Sequence, residues 1–226
     1  MSEYSAFEII GPPMTGPSSS HTAGAVRIGL AARALLGAEP GEARIALHGS
    51  FAATGAGHAT DRALVAGLLG WQPDDPRIKD ALDSAAHQNL HVDFQAVDLG
   101  EDVHPNSARL TVFSADRAAT CTITGSSPGG GSIEILNIDG FTARVDGCLI
   151  TLVMWHKDRP GFLSKITTLL ACAGINIATI RTTRKGREGE ALTLVETDET
   201  VPADCRSLLD RLPEISQLRE IPRLVF

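Results

Sequence analysis

The chain has 226 residues, 43% hydrophobic and 21% charged, which supplies a real core and excludes a disordered tail or low-complexity linker. Its 27 acidic residues outnumber 20 basic ones, and the net charge of −7 argues against a nucleic-acid role, since phosphates demand a basic face. The longest apolar run, residues 148–155, falls far short of a membrane span, and residues 1–8 lack the basic start of a signal peptide, so a cytoplasmic location is expected.

The first informative segment is Gly11-Pro12-Pro13-Met14-Thr15-Gly16-Pro17-Ser18-Ser19-Ser20-His21-Thr22, ahead of a helical run over residues 23–36 that stops at Gly37. Free N–H groups and hydroxyls at a helix start attract small anions, because the helix dipole favours negative charge there. A cap needs one serine. Ser18, Ser19, Ser20 and Thr22 exceed that need, and they surround His21, which can move a proton near neutral pH. The pattern recurs at His48-Gly49-Ser50-Phe51-Ala52-Ala53-Thr54-Gly55-Ala56-Gly57-His58-Ala59-Thr60-Asp61. This reads as a Gly- and hydroxyl-rich loop that brings His58 and Thr60 to a helix over residues 62–69, with Asp61 either capping that helix or orienting His58. Two further clusters follow. Glu101-Asp102-Val103-His104-Pro105-Asn106-Ser107 precedes a strand over residues 108–114, and residues 125–132 contain Gly129-Gly130-Gly131, a triplet that alone reads as a hairpin or bulge. His87 and His91, with no supporting neighbours, read as solvent-facing.

A strand-like stretch at 141–145 ends near Asp146-Gly147, where the charge changes character: residues 1–147 hold 9 basic and 17 acidic residues, residues 148–226 hold 11 and 10. Two domains, 1–147 and 148–226, are expected. The second begins with a β-rich run at 148–156, closed by Asp158-Arg159-Pro160-Gly161. Phe162, Ile166, Leu169 and Leu170 recur at helical spacing before Gly174. Strands at 175–181 and 191–197 flank a turn at 185–189; a short helix opens at Pro202, and a last strand spans 218–224. The order βαββαβ is that of a ferredoxin-like fold. Cys121, Cys148, Cys172 and Cys205 lack the close spacing of zinc or cluster ligands and read as buried small hydrophobes, so no metal ligand is assigned to this chain.

The stretch TLVMWHKDRPGFLSKITTLLACAGINIATI resembles an ACT domain, a small regulatory module that pairs across a sheet edge and binds amino acids. Its HKDRPG and GINIA look like the effector-binding segments of bacterial phosphoglycerate dehydrogenase, where serine is the effector. That resemblance implies effector contacts from Asp158 and Asn176, with Gly161 opening backbone N–H groups to a carboxylate. Asp158 stands where those enzymes have asparagine. The plainer alternative gives Asp158 a helix cap and Asn176 a turn.

The motifs GPSSSHTAGAVRIG, HGSFAATGAGHATDRALVAGLLG, EDVHPNSARL and GGGSIEI resemble the β chain of bacterial iron–sulfur-dependent L-serine dehydratase, the first two specifically. The resemblance implies an α/β (α+β) protein, whose N-terminal mixed α/β domain is like the allosteric substrate-binding domain of some phosphoglycerate dehydrogenases. It implies deamination of L-serine to pyruvate and ammonia without pyridoxal phosphate, with a 4Fe-4S cluster held by cysteines of a separate α subunit. It further implies that Ser18, Ser19, Ser20, His21 and Thr22 line the substrate site at the chain interface, joined by Thr60. His58 is the favoured base and His21 the favoured positioner, the reverse staying open; Asn106 and His104 are placed at the site's border. A homodimer through the ACT domain is expected. The competing reading is a non-catalytic amino-acid sensor, which leaves two His-bearing hydroxyl segments without a purpose. A zinc enzyme built on His21, His58 and His104 lacks any recognised ligand motif.

Overall fold

Two β-sheets, each covered by helices on one side, organise the computed structural model, which describes residues 13–225; the signal-peptide reading of residues 1–8 and the Gly11-Pro12 start of the first motif lie outside them. A π-turn, Ser19–Gly24, runs directly into helix α1 (Ala25–Leu36), ended by Gly37 in the left-handed region. Strand β1 (Pro40–His48) follows, then helices α2 (Gly49–His58), α3 (Thr60–Leu68) and α4 (Ala81–His87), and strand β2 (His91–Val97). β1 and β2 pair in parallel, and the three helices make the long crossover that a parallel pair requires. Strands β3 (Ser107–Ser114), β4 (Thr120–Gly129), β5 (Ser132–Ile138) and β6 (Phe141–Val145) complete an antiparallel meander, giving the order β2-β1-β3-β4-β5-β6. The sequence reading missed β1, β2, β4 and β5, and it treated residues 125–132 as one loop. Only Gly130 and Gly131 lie between β4 and β5, so the triplet is the hairpin its bland reading allowed.

Segment 49–61 differs more. Residues 49–58 are helical, not a loop: Ala52, Ala53 and Ala56 favour helix strongly enough to carry three glycines. Gly49 has φ 53°, and a Cβ there would lie 2.8 Å from the Pro105 backbone. α1 and α3 cross backbone to backbone, because a Cβ on Gly29 would stand 2.3 Å from Leu64 O and one on Gly67 2.1 Å from Val26 O. Glycine at both positions brings the two motif-bearing helices together.

The C-terminal unit follows the expected βαββαβ order: β7 (Ile150–Lys157), α5 (Phe162–Cys172), β8 (Ile177–Arg184), β9 (Glu190–Thr197), α6 (Ala203–Asp210) and β10 (Ile215–Ile221), with sheet order β10-β7-β9-β8. One core lies between this sheet and its helices, with Leu152, Met154, Phe162 and Ile166 at its centre. The other face contributes Val153, Leu192, Leu194 and Ile221 to the core of the N-terminal sheet, joined by Leu224 just past the end of β10. Thr183 Oγ1 and Arg181 Nη1 donate to Thr142 O and Arg144 O on the outer edge of β6, at 3.0 and 3.2 Å. The cysteines divide. Cys121 and Cys205 are buried as expected, but Cys148 and Cys172 are exposed, the first on a turn and the second at the last position of α5.

Candidate functional site

His21 is the centre of the N-terminal cluster. Ser18 caps the π-turn, its Oγ accepting from His21 N, and the wide turn sinks the imidazole until only 8% of the residue is exposed. Its Nδ1 lies 3.4 Å from Ser18 Oγ and 3.2 Å from Ser20 Oγ. Its Nε2 lies 3.4 Å from Ser50 Oγ and 3.2 Å from Thr54 Oγ1. Each hydroxyl can give or take a proton, so this ring adapts to either tautomer. Burial pushes the His21 pKa below its ordinary value, the nearby His58 lowers it further, and the imidazole is neutral at pH 7.

His58 presents a different surrounding. It sits half-exposed at the C-terminus of α2, its ring centroid 4.9 Å from that of His21. Its Nδ1 is 3.1 Å from Thr54 O. A carbonyl only accepts, so Nδ1 carries the proton and Nε2 keeps its lone pair. The Thr54 carbonyl, rather than Asp61, orients the ring, since Asp61 Oδ1 accepts from Arg62 N. Ala59 turns the chain between α2 and α3 with φ 58°.

Ser50, Thr54 and His58 stand four residues apart on one face of α2. The sequence reading did not single out Ser50 and Thr54; the i, i+4, i+8 spacing was the available signal, hidden by reading the segment as a loop. Phe51, fully buried, meets the edge of His21 at 5.1 Å and fixes its tilt. Thr22 and Thr60 are fully buried, and neither hydroxyl has a partner among the described residues. They lie beneath the cluster rather than on its surface. Ser19, three residues before Thr22, is half-buried.

Asn106 reaches the cluster at one remove. Its Nδ2 donates to Ser127 O at 3.2 Å, and its carbonyl accepts from Ser127 N at 2.8 Å. Ser127 packs against Gly24 of the π-turn, where a Cβ would stand 1.9 Å from Ser127 Oγ. His104 Nδ1 accepts from Asn106 N at 3.0 Å, and the next residue, Pro105, abuts Gly49. Arg27, also unforeseen, is buried one turn past Gly24 and donates to Gly131 O, pinning the glycine hairpin; burial lowers its pKa.

The expected effector residues are arranged otherwise. Asp158 Oδ2 accepts from Arg184 Nη1 at 2.9 Å and from Glu188 N at 3.3 Å, and the Arg184 hydrogen bond holds its carboxyl below the usual range. It does not cap α5, whose N-cap residue is Gly161, with φ 83° and no side-chain cap. Asn176 Nδ2 donates to Asp198 Oδ2 at 3.0 Å. In the strand register, Lys157 opposes Glu190 whereas Ile177 opposes Thr197, so Asp158 and Asn176 stand at opposite ends of the sheet. One chain does not bring them together. Among the described residues, no group of three or more His, Cys, Asp or Glu side chains is placed to hold a metal ion, and no helix is long and apolar enough to cross a membrane.

A family model described as the serine dehydratase beta chain matches residues 5–136. The chain belongs to the serine dehydratase beta chain family. An ACT domain model matches residues 150–214, over the βαββα part of the second unit. A probable L-serine dehydratase, beta chain, of Bacillus subtilis is 39% identical over 221 residues, covering 98% of this chain and 99% of the relative. The L-serine dehydratase, beta chain, of Peptoniphilus asaccharolyticus is 40% identical over 210 residues, covering 92% and 94%. A D-3-phosphoglycerate dehydrogenase of Methanocaldococcus jannaschii is 30% identical over 87 residues, 38% of this chain and 16% of that enzyme.

Proposed function

We propose that this chain is the β subunit of an L-serine dehydratase, a carbon–nitrogen lyase that converts L-serine to pyruvate and ammonia only together with an α subunit. The observation that carries the reading is the pairing of His58, its Nε2 free to accept a proton, with a neutral, hydroxyl-ringed His21 4.9 Å away. Elimination from serine needs a base for the Cα proton and a cradle for carboxylate and ammonium. His58 Nε2 is the base. The hydroxyls of Ser18, Ser19 and Ser20, at the mouth of a helix-like turn, hold the carboxylate, and His21 hands hydrogen bonds between that group and Ser50 and Thr54. Thr22 and Thr60 support this wall from below, and Asn106 sets it from behind through Ser127. Loss of the Cα proton to His58 and of the Cβ hydroxyl, which departs as water, gives an aminoacrylate that tautomerises to an imine, and a water molecule then releases pyruvate and ammonia.

The 4Fe-4S cluster of such an enzyme does not fit this chain. Cys121 and Cys205 are buried, burial pushing both thiol pKa values up, while Cys148 and Cys172 are exposed, and among the described residues no group of such ligands forms. The cluster's cysteines are assigned to the α subunit. Free thiols suit a reducing cytoplasm, and pyruvate production places the reaction in amino-acid catabolism feeding gluconeogenesis. We place the domain division at 147/148, between β6 and β7, and assign the C-terminal unit a regulatory or dimerising role. The exposed edge strand β8 supports dimerisation, with Ile180 40% exposed on it. In such a dimer Asp158 and Gly161 of one copy would meet the Asn176 end of the other around an amino-acid effector.

Anaerobic co-expression with an α chain, with pyruvate as readout, tests the reading. His58→Ala is expected to lower kcat about a hundredfold or more with a much smaller change in serine affinity. His87→Ala, on the exposed end of α4, leaves turnover unchanged. Equal small effects of both, or a stoichiometric cluster reconstituted in this chain alone, would refute it.

A further inference from the structure

Two thiols of the C-terminal unit stand apart from the histidine site, and the fold brings them to the same carbonyl group. Cys205, in the first turn of α6, is 5% exposed, and its thiol donates to Leu169 O of α5 at 3.7 Å. That oxygen also accepts at 3.1 Å from Ala173 N, the amide bonded directly to Cys172. Cys172 closes α5 one turn after Leu169 and is exposed. Side chains three residues apart on a helix lie only about 5–6 Å from each other, so the Cys205 sulfur rests on the turn that carries Cys172. Burial, and after it the neighbouring Cys172 thiol, hold the Cys205 pKa above the ordinary cysteine value.

One thiol is therefore open to solutes and the other is sheltered beside it. An oxidant meets Cys172 first, and Cys205 stays reduced until its neighbour has reacted. A peroxide-sensing pair needs this order: an accessible thiol that is oxidised and an adjacent one that resolves the product. A thiol is a weak donor, so little is lost when the Cys205 sulfur turns from Leu169 O toward Cys172.

We propose that Cys172 and Cys205 are a peroxide-responsive dithiol that closes to a disulfide between α5 and α6. A hydroperoxide first transfers oxygen to Cys172. Its O–O bond breaks, an S–O bond forms, the sulfur is oxidised by two electrons, and the peroxide leaves as an alcohol or water. The Cys205 sulfur then attacks the sulfenic sulfur of Cys172. The S–S bond forms, the S–O bond breaks, and the departing hydroxide takes the Cys205 proton to leave as water. The bridge encloses β8 and β9 and joins the two helices that cover them into one body. Disulfides in a reducing compartment are transient, and thiols reverse this one.

The test uses the full chain, treated with hydrogen peroxide, alkylated and digested with trypsin. Each of the four cysteines then falls in its own peptide: 118–144, 145–157, 166–181 and 188–206. The expected product is 166–181 joined to 188–206, lighter by two hydrogens and at least about tenfold more abundant than any other pairing, since the fold holds these two thiols together. Dithiothreitol removes it, and the same treatment in urea abolishes the preference. Cys205→Ser stops the reaction at a sulfenic acid on Cys172, which dimedone traps, whereas Cys172→Ser leaves Cys205 reduced. The peptide map of the unaltered chain decides the matter even if a variant folds poorly. Absence of the linked peptide from the folded chain, an equal yield of another pairing or of links between chains, or the same preference in urea would overturn the proposal.

Discussion

At the scale of single residues, what separates the two site histidines is the kind of oxygen each nitrogen meets. His58 Nδ1 faces a carbonyl, which fixes its tautomer; both nitrogens of His21 face hydroxyls, which do not. Burial has a further effect that pH exposes. His21 and His156 are both held below the ordinary histidine pKa of 6.5, chiefly because burial penalises the imidazolium. Above that value both folded and unfolded chains carry them neutral, and their contribution to stability is complete. As pH falls through 6.5 the unfolded chain takes up protons that the folded one refuses, so stability declines with acidification until the lowered folded pKa values are reached. Melting temperature, followed by circular dichroism from about pH 7.5 to 5, should therefore drop, and His156→Gln should flatten that drop. His156 is the cleaner probe, because it stacks on Phe162 at 3.7 Å, well away from the candidate catalytic groups. A profile equally steep in the variant would show that these imidazoles are not the source.

At the scale of elements, the two close glycines deserve a direct experiment. Gly29→Ala or Gly67→Ala would drive a methyl into helix backbone, where no side chain can swing aside. Either should cost about 3 kcal/mol, the upper end for overpacking, measured by urea unfolding of the chain. A loss under about 0.5 kcal/mol would mean that the helices separate freely. These glycines also show why the N-terminal half was only partly legible. Its motifs were rich in glycine and hydroxyl residues, and local reasoning equates such composition with loop. Inside residues 49–58 the alanines and the burial of Phe51 outweigh that tendency, so the helix and its Ser50–Thr54–His58 face were missed together. His21 and His58 were nonetheless legible as candidates, since their chemistry is visible without knowing the backbone. The C-terminal βαββαβ order could be read because every element there is bounded by its own turn residues, such as Asp158 to Gly161 and Gly174. Strand pairing in the first sheet could not: β1 hydrogen-bonds to β2 and β3 across long intervals of chain, which no local pattern records.

At the scale of the whole molecule, the two units share apolar surface. Leu224 N and Val225 N both donate to Gly147 O, at 2.8 and 3.0 Å, so the C-terminus is tied back to the junction it follows by some eighty residues of chain. Calorimetry of the full chain should accordingly show one cooperative transition, with van't Hoff and calorimetric enthalpies in agreement. Two resolved transitions would mean that the shared surface contributes little. The same feature bears on how such a protein can be rearranged. ACT-type units are often pictured as cassettes, moved from chain to chain as regulation requires. Here Val153, Leu192, Leu194, Ile221 and Leu224 belong to the neighbour's interior, so excising residues 148–226 would leave an apolar wound on each piece. Any recombination that transplants this unit into another enzyme must carry a matching sheet face with it, and grafting should succeed only between hosts whose first sheet presents one.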